Sequence, residues 1–116
     1  MGRVVGFEMN SQNPEKAVAF YSEIFGWTFD EPNWDYWPAT TGSEAKEGIN
    51  GGLGKGPQDY PHGTRVQIEV ENMEDTIQKA VGLGAQIVRD KMEFDEFYLA
   101  YLVDPVGNGI GLIQKK

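Results

Sequence analysis

The 116 residues predict an α+β domain made of two halves with the same layout. Each half opens with a strand that alternates apolar and polar side chains, continues with an amphipathic helix, and ends with three extended segments. The halves share this order of elements but little sequence identity, which indicates a structural duplication. We therefore expect two βαβββ modules, residues 1–56 and 63–116, within a single domain spanning residues 1–116.

The first half carries clear signals for its opening strand and its helix. Residues 4–9 alternate in hydrophobicity, with Val5, Phe7 and Met9 on one face. Asn13 can cap a helix that has Pro14 at its first position, and Gly26 stands where a left-handed helix end is expected. The helix buries a stripe with helical spacing: Ala17, Val18, Tyr21, Ile24 and Phe25. Further extended segments are predicted over residues 27–29, 36–41 and 48–54.

The second half repeats these signals. Residues 65–70 alternate, Asn72 can cap a helix, and Gly82 and Gly84 end it. The apolar residues of this helix keep helical spacing: Met73, Ile77, Ala80 and Val81. Strands are predicted over residues 86–88, 97–103 and 109–114, and the last two are joined by turn-forming residues typical of a hairpin.

The two opening strands carry polar side chains on the face that the helices do not cover. Unpaired buried charges cost several kcal/mol, so we expect this face to line a solvent-accessible concave surface rather than a second dry core. The residues concerned are Glu8, Asn10, Arg65, Gln67 and Glu69.

Composition excludes several classes of function. Eighteen acidic against ten basic side chains give a net charge of −8, which argues against a nucleic-acid partner. The absence of cysteine excludes disulfides and thiolate chemistry and fits a cytoplasmic location, while His62 is the only histidine. No apolar run approaches the roughly 18 residues that cross a bilayer, so no membrane association is expected.

Three motifs, together with the paired modules, are similar to one known superfamily. They are NPEKA at residues 13–17, FY followed by FGW over residues 20–27, and LVDPVGN at residues 102–108. The chain resembles the vicinal oxygen chelate superfamily, which contains glyoxalase I, bleomycin-resistance proteins and extradiol dioxygenases. The resemblance implies mixed sheets that curl around a cavity, helices on the outer faces, a homodimer, and often a divalent metal bound by His, Gln or Glu.

The residues at the family's four metal-ligand positions depart from that pattern. By the resemblance, these positions fall on Gly6, on Gly51 or Gly52, on Arg65, and on Gly111. Glycine offers no side-chain donor, and a guanidinium repels a cation. We therefore expect no cofactor and no metal at the usual site, with a divalent metal bound elsewhere as the alternative.

The leading hypothesis is a small-molecule-binding protein similar to the bleomycin-resistance proteins, with a small organic ligand that is aromatic or heterocyclic. Arg65 would bind an anionic group of the ligand, and aromatic side chains would form flat walls. Arg65 could instead neutralise Glu8 and Glu69, and the aromatics could equally serve the core or a dimer interface. The predicted ligand-binding residues are Glu8, Asn10, Tyr36, Trp37, Arg65, Gln67, Glu69 and Tyr98.

Two alternatives stay open. The first is a metal-dependent enzyme, either a lyase or isomerase related to lactoylglutathione lyase or a dioxygenase, whose relocated metal is held by Glu8, Glu69 and His62. Any general base near neutral pH would have to be His62, because no other side chain titrates there unperturbed. The second is a subunit or regulatory module that keeps the fold for its dimer surface.

Overall fold

A computed structural model describes residues 2–55 and 63–116, so that His62 lies outside the described residues. Within them the chain forms eight strands and two helices. The first five elements are β1 (Arg3–Ser11), α1 (Pro14–Phe25), β2 (Thr28–Phe29), β3 (Tyr36–Thr40) and β4 (Gly51–Lys55). The others are β5 (Thr64–Glu69), α2 (Met73–Gly82), β6 (Gln86–Glu93), β7 (Phe97–Val103) and β8 (Gly109–Lys115).

The chain divides into two compact units. The first unit comprises residues 6–64, and the second comprises residues 65–116 with the first few residues of the chain. Each unit holds a mixed sheet and one helix, which confirms the predicted α+β class. A cavity enclosed by the sheets stays a prediction, as does the assignment of the whole chain to one domain.

In the first unit the strands lie in the order β2-β3-β4-β1. β1 and β4 run parallel, and β3 is antiparallel to both β4 and β2. Helix α1 covers one face, where Met9, Trp37 and Leu53 form the buried core. The partly buried residues packed against that core are Phe7, Ala17, Val18, Tyr21, Trp27 and Phe29.

The ends of α1 follow the sequence prediction. The Asn13 side chain accepts a hydrogen bond from the backbone N–H of Lys16 at 3.2 Å, and Gly26 adopts φ +72°. The predicted apolar stripe was wrong at its C-terminal end, because Ile24 and Phe25 are 60% and 59% exposed. The helix buries its first two turns against the sheet and leaves the last turn in solvent.

In the second unit the order is β5-β8-β7-β6, with β5 and β8 parallel and β7 antiparallel to β8 and β6. Asn72 caps α2 by accepting from the backbone N–H of Asp75 at 3.0 Å. Helix α2 covers one face of this sheet over a buried core of Val70, Met73, Ile77, Ala100, Leu102 and Leu112.

Two tight turns join strands. The Asp104 carboxylate accepts hydrogen bonds from the backbone N–H groups of Val106 and Asn108, both at 2.9 Å, which closes the predicted β7–β8 hairpin. Trp34 and Asp35 both have positive φ, +56° and +57°, in the turn before β3, and the Trp34 side chain is 95% exposed. No helix in the described parts of the chain is long and apolar enough to cross a membrane.

Candidate functional site

The first unit has a sheet face that α1 does not cover. On β1 and β4, Glu8 pairs with Gly52 and Asn10 pairs with Gly54; on β3, Tyr36 pairs with Gly54. Residues paired across neighbouring strands project to the same side, so these residues share one face. It is the face opposite the core, and it carries the predicted ligand-binding residues Glu8, Asn10 and Tyr36.

Tyr36 covers Gly52 on this face. A Cβ atom added at Gly52 would overlap the hydroxyl oxygen and the Cζ atom of Tyr36. Gly52 is one of the two residues at the second metal-ligand position, and its strand neighbour Glu8 is only 6% exposed. The phenol of Tyr36 therefore occupies the space that the Cβ atom of a metal-coordinating side chain at position 52 would need.

The residues at the family's metal positions do not fit a metal ion. A Cβ at Gly51 would overlap the carbonyl oxygen of Phe7 and lie 2.7 Å from its Cγ atom, so the strand has no room for a ligand side chain at either glycine. Gly6 and Gly111 have no side-chain donor, and Arg65 is a cation. Across residues 2–55 and 63–116, no three acidic or histidine side chains cluster as a metal site would require.

In the second unit the face away from α2 carries a cation stacked on an aromatic ring. The guanidinium carbon of Arg65 lies 3.8 Å from the centroid of the Tyr101 ring, and Arg65 is only 7% exposed. Gly111 pairs with Gln67 on one side and with Tyr101 on the other. Because Gly111 has no side chain, no side chain separates Gln67 from Tyr101 along this row of paired residues.

Glu69 lies on the same strand and face as Arg65 and Gln67, nearer the strand end. Its Oε2 atom is 3.3 Å from the Nζ atom of Lys115. The pair borders a surface concavity of about 380 Å³ whose lining residues are Arg3, Glu69, Val70, Glu71 and Lys115. Glu69 is therefore placed in an ion pair with a largely exposed lysine, and such pairs near the surface contribute little to stability.

Two of the predicted ligand-binding aromatics lie in the helix-covered cores. Trp37 is 9% exposed and packs with Met9 and Leu53, and Tyr98 packs against the core of the second unit. Alternation along a strand places Trp37 opposite Tyr36, and it places Tyr98 opposite Tyr101.

Tyr101 belongs to the aromatic cluster of the second half but was not among the predicted ligand-binding residues. The signal that could have found it is its pairing with a glycine at a metal-ligand position.

A charged cluster surrounds Tyr98 on the helix side. Lys91 Nζ lies 4.2 Å from the ring centroid and donates to Glu74 at 2.8 Å, and this hydrogen bond raises the pKa of Lys91. Lys116 donates to Glu93 at 2.7 Å, which raises the pKa of Lys116 and lowers that of Glu93. These groups pair with one another, and the pKa shifts of Lys91, Lys116 and Glu93 all favour the charged forms.

The fold, a mixed sheet with one helix in each unit, can be compared with solved structures of the glyoxalase/bleomycin-resistance/dioxygenase superfamily. A solved member of that superfamily from Vibrio splendidus 12B01 aligns with a TM-score of 0.68 and 14% identity, covering 99% of this chain and 100% of that one. The sequence matches the glyoxalase-like domain over residues 6–113, and the chain belongs to that family within the vicinal oxygen chelate superfamily.

Two further solved structures have a similar fold. A methylmalonyl-CoA epimerase variant from Streptomyces coelicolor, in complex with 2-nitronate-propionyl-CoA, aligns with a TM-score of 0.64 and 12% identity, covering 97% of this chain and 96% of that one. A protein described as an NAD-dependent benzaldehyde dehydrogenase from Legionella pneumophila aligns with a TM-score of 0.66 and 17% identity, covering 96% and 98%. No curated protein matches the sequence. At these identities the likeness to solved structures shows the fold alone.

Proposed function

We propose that this chain is a small-molecule-binding protein of the glyoxalase/bleomycin-resistance type that binds its ligand without the family's usual metal. Family membership supports a ligand on the helix-free sheet faces. The residues at the four metal-ligand positions, three glycines and Arg65, support binding by hydrogen bonds, charge and aromatic contact instead of coordination.

The observation that carries the proposal is the stacking of Arg65 on Tyr101. A guanidinium 3.8 Å from a ring centroid is attracted by the ring, and its orientation is restricted before any ligand arrives. Burial in a low-dielectric setting strengthens the hydrogen bonds that its N–H groups donate to an anion. Arg65 in this state is suited to a carboxylate or phosphate, because its planar fork matches two acceptor oxygens.

The proposed ligand is an anionic organic molecule with a flat apolar part. Tyr101 provides an aromatic surface beside the cation, and Gln67, across Gly111, provides both a donor and an acceptor. The epimerase relative is bound to an acyl-CoA analogue, and for that reason we include acyl-CoA thioesters among the candidates. Glu8, Asn10 and Tyr36 are proposed as polar anchors on the face of the first unit.

The test is calorimetric titration of the protein with three panels: aromatic carboxylates, antibiotic-like heterocycles and acyl-CoA thioesters. Charge-assisted hydrogen bonds contribute about 1.5–3 kcal/mol each, so losing one through Arg65→Lys should weaken binding at least roughly ten-fold. Arg89→Lys is the matched control, because Arg89 is an exposed arginine on β6. Thermal unfolding verifies that each variant is folded.

The proposal fails if no compound binds saturably. It also fails if Arg65→Lys binds the ligand as tightly as the wild type and the Arg89→Lys control do. Tyr101→Leu gives an independent measurement, since it removes the aromatic surface but keeps Arg65. Weaker binding in Tyr101→Leu as well as in Arg65→Lys is the result expected from the stacked pair.

The metal-dependent alternative has one structural observation in its favour, the buried carboxylate of Glu8. Elemental analysis of protein purified without chelators tests it directly. Stoichiometric nickel, zinc, manganese or iron that is lost in Glu8→Gln would overturn the metal-free proposal in favour of a lyase, isomerase or dioxygenase.

We further propose that the protein is a cytoplasmic homodimer. Light scattering of the purified protein tests the oligomeric state, and fractionation of the cells that produce it tests the location.

A further inference from the structure

We infer that helix α1 is a self-association surface, on which α1 of a second copy of the chain packs in the antiparallel direction. The partner is a second copy because the charges on this helix complement those of the same helix turned around. The inference rests on the homodimer proposed above, whose surface it names, and it is independent of the proposed ligand.

An exposed apolar patch lies on α1. Phe20, Ile24 and Phe25 are 55%, 60% and 59% exposed, and the ring centroids of Phe20 and Phe25 lie 6.4 Å apart. The ring of Tyr21 contacts both phenylalanine rings, at centroid distances of 5.2 and 6.0 Å, and Tyr21 itself packs against the core of the first unit. The patch is therefore held in place before any partner arrives. Contiguous exposed apolar side chains mark interaction surfaces, whereas scattered single ones do not.

The size of the patch suits the apolar centre of an interface between two copies. An aromatic side chain buries about 150–250 Å², so three large side chains that are each more than half exposed leave roughly 250–400 Å² of apolar surface per chain. A standard interface covers about 800 Å² per partner and has an apolar centre within a polar rim. The patch supplies up to about half of this area, and the rim has to come from charged neighbours on the helix.

The charges beside the patch are arranged for a two-fold axis. Lys16 precedes Phe20 by four residues and Glu23 follows it by three, so both lie on the same side of the helix as Phe20. In an antiparallel helix pair with its two-fold axis beside Phe20, Lys16 of each copy lies level with Glu23 of the other. Both side chains are exposed, and neither forms an ion pair within residues 2–55 and 63–116. Two complementary pairs therefore flank the aromatic centre.

These two charges do not neutralise each other within one helix. Lys16 and Glu23 are seven positions apart, which is about 10 Å along the helix axis. Side chains on one helix interact at spacings of three and four residues. If the effect of the charge at position 16 depends on the charge at position 23, the dependence therefore reports contact between two copies.

The experiment is a charge exchange in the full chain, read as the dimer dissociation constant by sedimentation velocity over a concentration series. Lys16→Glu and Glu23→Lys each place like charges opposite each other, and each should weaken the dimer at least roughly ten-fold. Both variants should fold, because an acid suits the first turn of a helix and a base suits the last. Lys79→Glu is the matched control, since it makes the same charge change on an exposed lysine of α2.

Two combinations should recover the dimer. The double variant Lys16→Glu/Glu23→Lys restores opposite charges and should dimerise as tightly as the wild type. An equimolar mixture of the two single variants should form mixed dimers, because one chain carries acids at both positions and the other carries bases.

A dimer that neither single variant weakens, or that the double variant fails to recover, would overturn the assignment to α1 and leave the homodimer to another surface. A wild-type chain that stays monomeric at every concentration would overturn both the homodimer and this surface. Neither result bears on the proposed ligand, which is tested by titration.

Discussion

The overlap between Tyr36 and the side-chain space of Gly52 can be measured as a coupling free energy. Gly52→Ala places a methyl group where the Tyr36 hydroxyl and Cζ atoms lie, so the ring must move to accommodate it. In a Tyr36→Ala background the same methyl meets no ring. The two substitutions should therefore be strongly non-additive, and the cost of Gly52→Ala should largely disappear when Tyr36 is absent.

The expected magnitude follows from the nature of the collision. Inserting a methyl into packed structure costs about 1–3 kcal/mol. The overlapping atoms belong to the far end of a half-buried side chain that can swing outward, so the lower part of that range applies, about 1–2 kcal/mol, or roughly 4–8 °C in Tm. The entropic gain of replacing glycine by alanine, about 0.4–1 kcal/mol, is present in both backgrounds and cancels in the coupling.

Urea denaturation of wild type, both single variants and the double variant gives the coupling from four unfolding free energies. Gly51→Ala serves as the comparison, because its Cβ meets the backbone carbonyl of Phe7, which Tyr36→Ala cannot remove. Gly52→Ala should be rescued and Gly51→Ala should not. A coupling below about 0.5 kcal/mol for Gly52 and Tyr36, the usual limit for independent sites, would refute the placement of the ring over that glycine.

Two further predictions concern the turns. The backbone and side-chain N–H groups of Asn108 lower the pKa of Asp104, so this carboxylate stabilises the fold above its ordinary pKa and stops doing so as the pH falls through the lower native value. The Tm difference between wild type and Asp104→Ala should therefore stay constant above about pH 5 and shrink below about pH 4, and a difference that grows in acid would contradict the reasoning. Trp34→Asn should raise the unfolding free energy by up to about 1 kcal/mol in urea, because asparagine tolerates the positive φ of this turn better than tryptophan; a decrease would contradict it.

Local features were predictable from the sequence. The caps at Asn13, Gly26 and Asn72 and the hairpin closed by Asp104 depend on hydrogen bonds within a few residues, and the structure confirms each. Strand β6 is longer than predicted, Gln86–Glu93 instead of residues 86–88, because its pairing with β7 shifts register twice and breaks the alternation that sequence patterns detect. Its extent is determined by the partner strand.

The candidate site was predictable only in part, because alternation assigns residues to opposite faces without saying which face meets the helix. Tyr36 and Trp37 are neighbours on one strand and cannot both face a ligand; the structure buries Trp37 beneath α1. Tyr98 and Tyr101 divide in the same way, and Tyr101 is the one beside Arg65. Neither the size of an aromatic ring nor its distance from a sequence motif shows which of two residues on a strand faces the helix. That choice depends on contacts between segments that are distant in the sequence.

The tyrosine over Gly52 also determines the order in which mutations could change this protein's chemistry. A histidine or glutamate gained first at position 52 would meet the phenol and lower the stability of the fold. Loss of Tyr36 beforehand would remove this cost. A change that makes room for a metal-coordinating side chain at position 52 therefore lies on β3, a strand that holds none of the four positions at which the family binds its metal.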